Sequence, residues 1–326
     1  MKTIRWGILG TGTIAKKFAE ALQTLPDAKI AAVGSRTRET AENFARQFQI
    51  PRAHASYAAL ANDAEVDAIY IATPHPCHHE NALLCLNAGK PVLCEKPFTI
   101  NAAHAAEVIA CAREKKLLLM EAMWSRFFPL MFRLREMLAQ KAIGEIQMLT
   151  ADFGFRADFR AESRLFDPAL GGGALLDVGI YPVSLASMIL GAPTAISGLA
   201  EIGSTGVDEQ AAIIFKYENG ALATLFTSIR ATTFCEVSIL GTLGRIKIHP
   251  FWWKPNAMML THENGSSENF EMPYHGNGYQ FEAMEFMKLL RAGKLESEIM
   301  PLAETLSIMK TLDALRAPWG VKYPME

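Results

Sequence analysis

The chain has 326 residues, half of them apolar and one-fifth charged, with a formal net charge of −2. This balance offers no basic surface for nucleic acid, and no block of like charges is present that would bind an anionic membrane. The length exceeds what a single hydrophobic core usually fills, so we expect two domains.

Cysteine usage and apolar patterning indicate a cytoplasmic protein. The odd cysteine count lacks the spacing of a disulfide framework, which favours reduced thiols; the residues are Cys77, Cys85, Cys94, Cys111 and Cys235. We expect no signal peptide, since the apolar stretch 7–10 is short. The uncharged stretch between Asp177 and Glu201 is interrupted by prolines, which predicts a buried helix and then a strand, not a membrane span.

The first 120 residues alternate short apolar runs with amphipathic stretches. We predict strands at Ile4–Leu9, Lys29–Gly34, Asp67–Ala72, Pro91–Cys94 and Leu117–Met120. We predict helices at Ile14–Leu25, Thr40–Phe48, His79–Ala88 and Ala102–Lys115. Strands and helices in alternation form right-handed βαβ units, so this part is predicted to be an α/β Rossmann domain with a parallel sheet.

After residue 120, the order of predicted elements changes from strands and helices in alternation to successive strands between helices. Helical patterns cover Leu130–Gln140, Gly172–Leu190, Gln280–Arg291 and Leu302–Ala317. Between them, strand patterns with short turns cover Glu145–Phe155, Thr194–Glu201, Gln210–Tyr217, Ala221–Arg230, Glu236–Leu240 and Arg245–Ile248. We therefore predict a Rossmann domain at 1–121 and an α+β substrate-binding and dimerisation domain at 122–326. The second domain has an open, mostly antiparallel β-sheet, and the last helices pack back on the first domain.

A dinucleotide fingerprint follows the first predicted strand and opens the first helix. It runs Gly10-Thr11-Gly12-Thr13-Ile14-Ala15. The first glycine permits a tight turn, the second admits the pyrophosphate, and the small sixth residue lets helix pack on strand. The alternative is an ordinary glycine turn in a βα unit, but the position in the first unit favours phosphate binding at the helix N-terminus.

The end of the second strand favours NADP over NAD. An NAD site usually places Asp or Glu here to accept from the ribose 2′-hydroxyl, and residues 33–38 contain neither. Ser35 can hydrogen-bond a 2′-phosphate, and Arg36 can pair with its charge. Arg38 is a further candidate, although a solvated position at the helix start explains it equally well.

Two motifs carry a family resemblance. Thr73-Pro74-His75-Pro-Cys-His78 follows the fourth strand and Glu95-Lys96-Pro97 follows the fifth. With Gly171–Pro182, these resemble the glucose–fructose oxidoreductase, inositol dehydrogenase and MocA family. Within it, the chain is similar to the branch of dimeric dihydrodiol dehydrogenase and NADP-dependent D-xylose 1-dehydrogenase. The resemblance implies that Thr73, Pro74, His75, His78, Glu95 and Lys96 bind the cofactor, and that the protein is a homodimer through the open sheet.

The same resemblance implies the catalytic residues. Lys96 would contact nicotinamide and substrate, Tyr181 would take the place of the histidine that many members carry, and Asp177 would bind substrate hydroxyls. A free phenol has a pKa of about 10 and is a poor base, but a nearby lysine lowers that pKa. We therefore predict Tyr181 as the acid–base residue and Lys96 as its tuner and as a hydrogen-bond donor to the reacting oxygen.

Further residues are candidates for binding substrate, although core packing explains each of them as well. Trp124, Phe155 and the pair Trp252-Trp253 could line the cleft with aromatic faces for a ring to stack on. Arg126 could instead pair with Glu121 or Asp177. The cluster of His75, Cys77, His78 and His79 lacks metal-ligand spacing, so we expect no metal.

These observations predict an NADP-dependent dehydrogenase of a small sugar or diol. The first candidate reaction oxidises an aldose such as D-xylose at C1 to a lactone, and the alternative is oxidation of a trans-dihydrodiol. A regulator that senses NADP without turnover is the alternative from another class, which the combination of Lys96 and Tyr181 disfavours.

Overall fold

The computed structural model describes residues 2–326. They form two units. Unit 1 contains the described residues up to Trp124 together with His275–Leu306, and unit 2 contains Ser125–Tyr274 and Ser307–Glu326.

Unit 1 is built on a six-stranded parallel sheet. Its strands are β1 Ile4–Leu9, β2 Ala28–Gly34, β3 Arg52–His54, β4 Ala68–Ile71, β5 Val92–Glu95 and β6 Leu119–Ala122. Their order is β3-β2-β1-β4-β5-β6. This order belongs to the Rossmann fold, in which ligands bind beyond the carboxyl ends of the strands where the order reverses, here between β1 and β4.

Most helices begin and end close to the predicted positions. The helices are α1 Thr13–Leu22, α2 Arg38–Phe48, α3 Tyr57–Ala61, α4 His78–Asn87, α5 Ala102–Lys115, α6 Pro129–Ala139, α7 Ile180–Leu190, α8 Tyr279–Arg291 and α9 Leu302–Arg316. Helix α3 was not predicted, and α7 begins later than the predicted Gly172. At the start of α5, the Asn101 side chain accepts the His104 N–H at 2.8 Å and satisfies one of the free donors there. Helix α8 belongs to unit 1, where Phe286 packs against Trp6 of β1 with ring centroids 5.2 Å apart.

Unit 2 is built on an eight-stranded open sheet. Its strands are β7 Ile146–Gly154, β8 Ala195–Ile202, β9 Asp208–Lys216, β10 Leu222–Ser228, β11 Val237–Gly241, β12 Gly244–Ile248, β13 Ala257–His262 and β14 Ser267–Glu271. Their order is β14-β13-β12-β11-β7-β10-β9-β8, and only the pair β7–β10 is parallel within the described residues. The predicted fold class, a parallel Rossmann sheet and an open, mostly antiparallel sheet, is confirmed.

The uncharged stretch of the sequence lies in the core of unit 2. Residues 168–190 are long and apolar enough to cross a membrane, but 78% of their most apolar window is buried inside the protein. The predicted helix has a π-helical turn at Leu175–Gly179 before α7, which the sequence pattern did not indicate. It is followed by β8, as predicted.

A buried carboxyl on α8 makes the stability of unit 1 depend on pH. Glu282 is fully buried, and its two carboxyl oxygens have no hydrogen-bond partner within residues 2–326. Burial and the nearby carboxylate of Glu95 raise the pKa of Glu282 well above its usual value. The folded protein therefore keeps a proton that the unfolded chain releases above the ordinary glutamate pKa of 4.5.

Because the folded protein keeps this proton, we expect the free energy of unfolding to fall as the pH rises above 4.5. Each such group contributes a slope of about 1.4 kcal/mol per pH unit to the free energy of unfolding. Since Glu282→Gln has no proton to lose, we expect its stability to fall less steeply between about pH 5 and pH 8. Denaturant unfolding at a series of pH values measures this slope. The exposed Glu114→Gln on α5 is the control and should retain the wild-type slope; a wild-type slope in Glu282→Gln would contradict the prediction.

Candidate active site

The turn after β1 has the backbone geometry that a dinucleotide needs. Gly10 has a φ of +107°, and a Cβ at this position would stand 2.9 Å from the carbonyl oxygen of Ala72. Only glycine fits both requirements. At Gly12, the N-cap of α1, a Cβ would meet no described atom within 4 Å, and the first turn of the helix carries no acidic residue. A helix N-terminus with these properties suits a diphosphate.

A chain of hydroxyl groups lies at the end of β2, beside this turn. Ser35 Oγ is 3.4 Å from Thr11 Oγ1 and 2.6 Å from Thr40 Oγ1. Thr40 Oγ1 also lies 2.8 Å from Thr37 Oγ1. Ser35 is therefore held at the position where a ribose 2′-substituent arrives in this fold. Ser35 and Thr11 were predicted from the sequence to bind the cofactor, whereas Thr37 and Thr40 were not among the predicted residues.

The two arginines that follow Ser35 differ in their surroundings. Arg36 is exposed. Burial raises the pKa of Tyr57, and the positive charge of Arg36 offsets part of that increase. Arg38 is also exposed, and its guanidinium lies 3.6 Å from the Glu42 carboxylate one helical turn along α2. Arg36 is thus the better placed of the two to meet a phosphate, while Arg38 has a partner within its own helix.

His78 connects the loop after β4 to the segment after β5. Its Nε2 lies 2.9 Å from the carbonyl oxygen of Thr73, and its Nδ1 lies 2.8 Å from that of Pro97. The ring is buried, and this burial lowers the pKa of His78. His78 therefore fixes the backbone of the loop that contains Thr73 against Pro97, the residue that follows Lys96.

Glu95 and Lys96 stand at the carboxyl end of β5. Tyr70 donates its hydroxyl hydrogen to Glu95 Oε1, and the Lys96 backbone N–H donates to Glu95 Oε2 at 3.1 Å. Burial raises the pKa of the Glu95 carboxyl to about 7. Glu95 is thus bound within the core and holds the backbone from which the half-buried Lys96 side chain extends.

In unit 2, the segment that contains Asp177 and Tyr181 begins at three glycines. Gly173 has a φ of +117°, and a Cβ there would lie 2.4 Å from Asp208 Oδ1. The other oxygen of Asp208 accepts the Leu175 N–H at 2.6 Å, so a buried carboxyl from β9 bonds the start of the helical segment. Glycine at 173 is required because a larger residue would displace that carboxyl.

The structure brings Asp177 and Tyr181 to the same region and adds a third residue, Arg164. Arg164 Nη1 donates to Asp177 Oδ1 at 2.9 Å, and Nη2 donates to Oδ2 at 3.3 Å. Burial lowers the pKa of Arg164, while Asp177 and then Tyr181 raise it, and the net effect is an increase. The guanidinium therefore bonds the carboxylate, and the phenol contributes to its electrostatic surroundings.

Aromatic rings surround the Tyr181 side chain. The Phe153 ring lies 5.2 Å from that of Tyr181, and Trp253 stacks on Phe153 with centroids 3.6 Å apart. Trp252 meets Tyr181 edge-on at 6.5 Å. We call Phe153, Trp252 and Trp253 the aromatic wall. The two tryptophans were predicted to line the cleft, whereas Phe153 was missed although it shares a strand face with Phe155.

The remaining predicted substrate residues have packing partners within their units. In unit 1, Trp124 stacks on Tyr279 with centroids 4.5 Å apart. In unit 2, the buried Arg126 donates to Ser184 Oγ at 2.9 Å and to the Ser184 carbonyl oxygen at 2.6 Å. Phe155 packs against a core cluster with Phe166, Ala174, Val178 and Ile229. These contacts are structural, and a role in substrate binding stays a prediction for each of the three residues.

Comparison with protein families gives two matches in chain order. A family described as "Oxidoreductase family, NAD-binding Rossmann fold" matches residues 4–123. The "GFO/IDH/MocA C-terminal domain" matches residues 131–247. The first match contains β1 to β6 of unit 1, and the second contains β7 to β11 together with the segment of Asp177 and Tyr181.

Individual relatives match over almost the whole length. The chain is 40% identical to trans-1,2-dihydrobenzene-1,2-diol dehydrogenase of Mus musculus, with 99% of each chain covered. It is 39% identical to the Xenopus laevis enzyme of the same name, over 98% of this chain and 99% of that one. Among solved structures, a 3-ketoreductase from Actinomadura kijaniata in complex with NADP and TDP-benzene is 27% identical, covers 97% of both chains and has a TM-score of 0.87.

Proposed function

The chain belongs to the GFO/IDH/MocA oxidoreductase family and is an NAD(P)-dependent dehydrogenase, and from this premise we propose that it oxidises a trans-1,2-dihydrodiol with NADP. The observation that carries the proposal is the aromatic wall beside Tyr181. A flat dihydrodiol ring can stack on Phe153 or Trp253, while its two hydroxyl groups bond to polar side chains. The identity with dihydrodiol dehydrogenases over the full chain supports the same substrate class.

In the proposed reaction, one hydroxyl of the diol is oxidised. When bound, NADP accepts the hydride from the carbon of that hydroxyl group. We propose that the Tyr181 phenolate takes the hydroxyl proton, that Lys96 donates a hydrogen bond to the reacting oxygen, and that Asp177 accepts from the second hydroxyl. The ketone then tautomerises to a catechol, so the diol loses one hydride and one proton overall.

An aldose such as D-xylose is the second candidate substrate, and the carboxylate of Asp177 favours it. The Asp177 side chain is 9% exposed, and a carboxylate can accept hydrogen bonds from the hydroxyl groups of a sugar. We propose a cytoplasmic location for either activity, because the five cysteines are all unpaired in the structure.

The role of Tyr181 as the base is tested by Tyr181→Phe, which removes the phenol oxygen. We expect this change to lower kcat by about 10²–10⁴-fold, because the group proposed to take the proton is then missing. NADP affinity should remain near that of the wild type. Turnover is followed by absorbance of reduced nicotinamide with dihydrodiols and aldoses as substrates. Tyr217→Phe is the matched control, since that buried hydroxyl has no hydrogen-bond partner among residues 2–326.

The substrate panel also separates the rival functions. Faster oxidation of dihydrodiols than of aldoses supports the proposed substrate, and the reverse order supports the sugar. NADP binding without turnover of any compound would identify a sensor and contradict the proposal. Full activity in Tyr181→Phe would show that another group is the base.

We propose that Arg36 makes the protein prefer NADP to NAD. A guanidinium bond to the 2′-phosphate contributes about 1.5–3 kcal/mol, so Arg36→Ala should weaken NADP binding about 10–100-fold and leave NAD binding nearly unchanged. Titration of intrinsic fluorescence with each dinucleotide measures both affinities. Arg38→Ala is the comparison variant and should lose less, because Arg38 pairs with Glu42. Equal weakening of NADP and NAD in Arg36→Ala would contradict the assignment.

We further propose a homodimer through the outer face of the open sheet in unit 2. Large apolar side chains are exposed on neighbouring strands of this face: Leu199 of β8 is 83% exposed, Ile214 of β9 is 51% exposed and Phe226 of β10 is 37% exposed. The strand register aligns them, since Ala212 of β9 pairs with both Leu199 and Phe226. Contiguous exposed apolar surface of this kind is typical of an interface between protein chains.

Leu199→Asp should convert the dimer into a monomer, because a second copy would bury the new charge. Light scattering after size-exclusion chromatography gives the mass. Leu243→Asp, at an apolar side chain that is 54% exposed in the turn between β11 and β12, should leave the mass unchanged. A wild-type protein of monomer mass would refute the dimer, and a dimeric Leu199→Asp would refute this interface.

A further inference from the structure

Arg164 forms a two-point contact with a buried carboxylate. Its two terminal nitrogens donate to the two oxygens of Asp177, at 2.9 and 3.3 Å. The Asp177 side chain is 9% exposed, whereas that of Arg164 is 58% exposed. A fork-to-fork bond fixes the plane of the carboxylate as well as its position. Arg164 therefore sets the orientation in which the Asp177 carboxylate is held.

The chain holds Arg164 at this place through the residues that follow it. The Gly173 N–H donates to the Leu165 carbonyl oxygen at 2.9 Å, and the Gly172 N–H donates to that of Asp167 at 3.0 Å. A Cβ at Gly172 would lie 2.9 Å from the Leu165 oxygen, so the glycine permits this close approach. Next to Leu165, Phe166 is buried against Ala174 and Val178. Backbone hydrogen bonds thus hold the loop of Arg164 against the turn that leads to Asp177.

The charges of Arg164 and Asp177 affect the pKa of the Tyr181 phenol. A carboxylate near a phenol raises the phenol pKa, because two negative charges repel one another. Asp177 by itself would therefore leave less of Tyr181 as phenolate at neutral pH, and a guanidinium nearby offsets that effect. The two-point bond places the Arg164 guanidinium on Asp177, four residues before Tyr181 in the same helical segment. The electrostatic attraction of Arg164 to both groups agrees with such a balance.

From this arrangement we propose that Arg164 is a positioning residue of the active site: it orients the Asp177 carboxylate and holds positive charge beside the Tyr181 phenol. The inference rests on the proposed function, in which Tyr181 is the base. Arg164 remains charged throughout and forms or breaks no covalent bond.

The pKa of the Tyr181 phenol is the direct test. It is obtained from phenolate absorbance in the full chain with NADP present, as the difference between each protein and the same protein carrying Tyr181→Phe. We expect Arg164→Gln to raise the pKa of Tyr181 by about one unit, and Arg164→Lys to raise it less because the charge is kept. Arg160→Gln, an exposed arginine in the same loop, is the matched control and should leave this pKa unchanged.

Turnover provides the second readout. At neutral pH, Arg164→Gln should lower kcat about tenfold, and the loss should shrink as the pH is raised, because a one-unit shift leaves tenfold less phenolate. Adding Asp177→Asn to Arg164→Gln should bring the pKa of Tyr181 back toward its wild-type value, since the repelling charge is then removed.

The possible failures are distinguishable. If the pKa of Tyr181 is the same in Arg164→Gln as in the wild type, the role of Arg164 is refuted whether or not Tyr181 is the base. A kcat loss that is equal at every pH would indicate only a structural role and would also refute it. If the pKa rises as expected but Tyr181→Phe keeps full activity, the charge effect of Arg164 stands and the proposed base fails.

Discussion

The segment with Asp177 and Tyr181 starts at buried residues of unit 2, so its first N–H groups need partners within the protein. Asp208 of β9 accepts the N–H of Leu175, and glycine at position 173 leaves room for its carboxyl. A buried donor without such a partner would cost about 1–3 kcal/mol. The place from which both candidate site residues extend is therefore set by a contact between the helical segment and the sheet.

Charge is the second constraint, because a tyrosine is present as the proton-accepting phenolate near neutral pH only where positive charge lowers its pKa. In our proposal this charge has two sources. Arg164 is bonded to Asp177 within unit 2, and Lys96 extends from the end of β5 in unit 1, where Glu95 bonds its backbone. Each cation stands beside a carboxyl group whose position the surrounding core fixes.

Most of the fold could be predicted because it depends on local signals. Five of the six strands of unit 1 are apolar runs bounded by turn residues, and the Gly10 turn has the geometry that its motif implies. The short β3 was missed, since Arg52-Ala53-His54 has no apolar pattern. Two strands of unit 2 were missed: β14 is polar and mostly exposed, and β13 pairs with it across a short turn. The π-helical turn at Leu175–Gly179 was also missed, since the apolar residues around Asp177 occur on every side of the segment and fit any helical pitch.

The site was predictable only in part. Residues in short motifs could be named, but Arg164 lies in a polar loop 13 residues before Asp177, with no periodicity that links the two. The contacts of Phe153 with Tyr181 likewise depend on the tertiary structure. Which of these residues touch a substrate stays a prediction.

A crystal structure of the complex with NADP and an unreactive diol tests the central claim most directly. We predict that the Tyr181 hydroxyl and the Lys96 ammonium both lie within hydrogen-bond distance of the same diol oxygen, next to the nicotinamide ring. A diol bound away from Tyr181, or a Lys96 side chain directed away from the nicotinamide, would contradict the account.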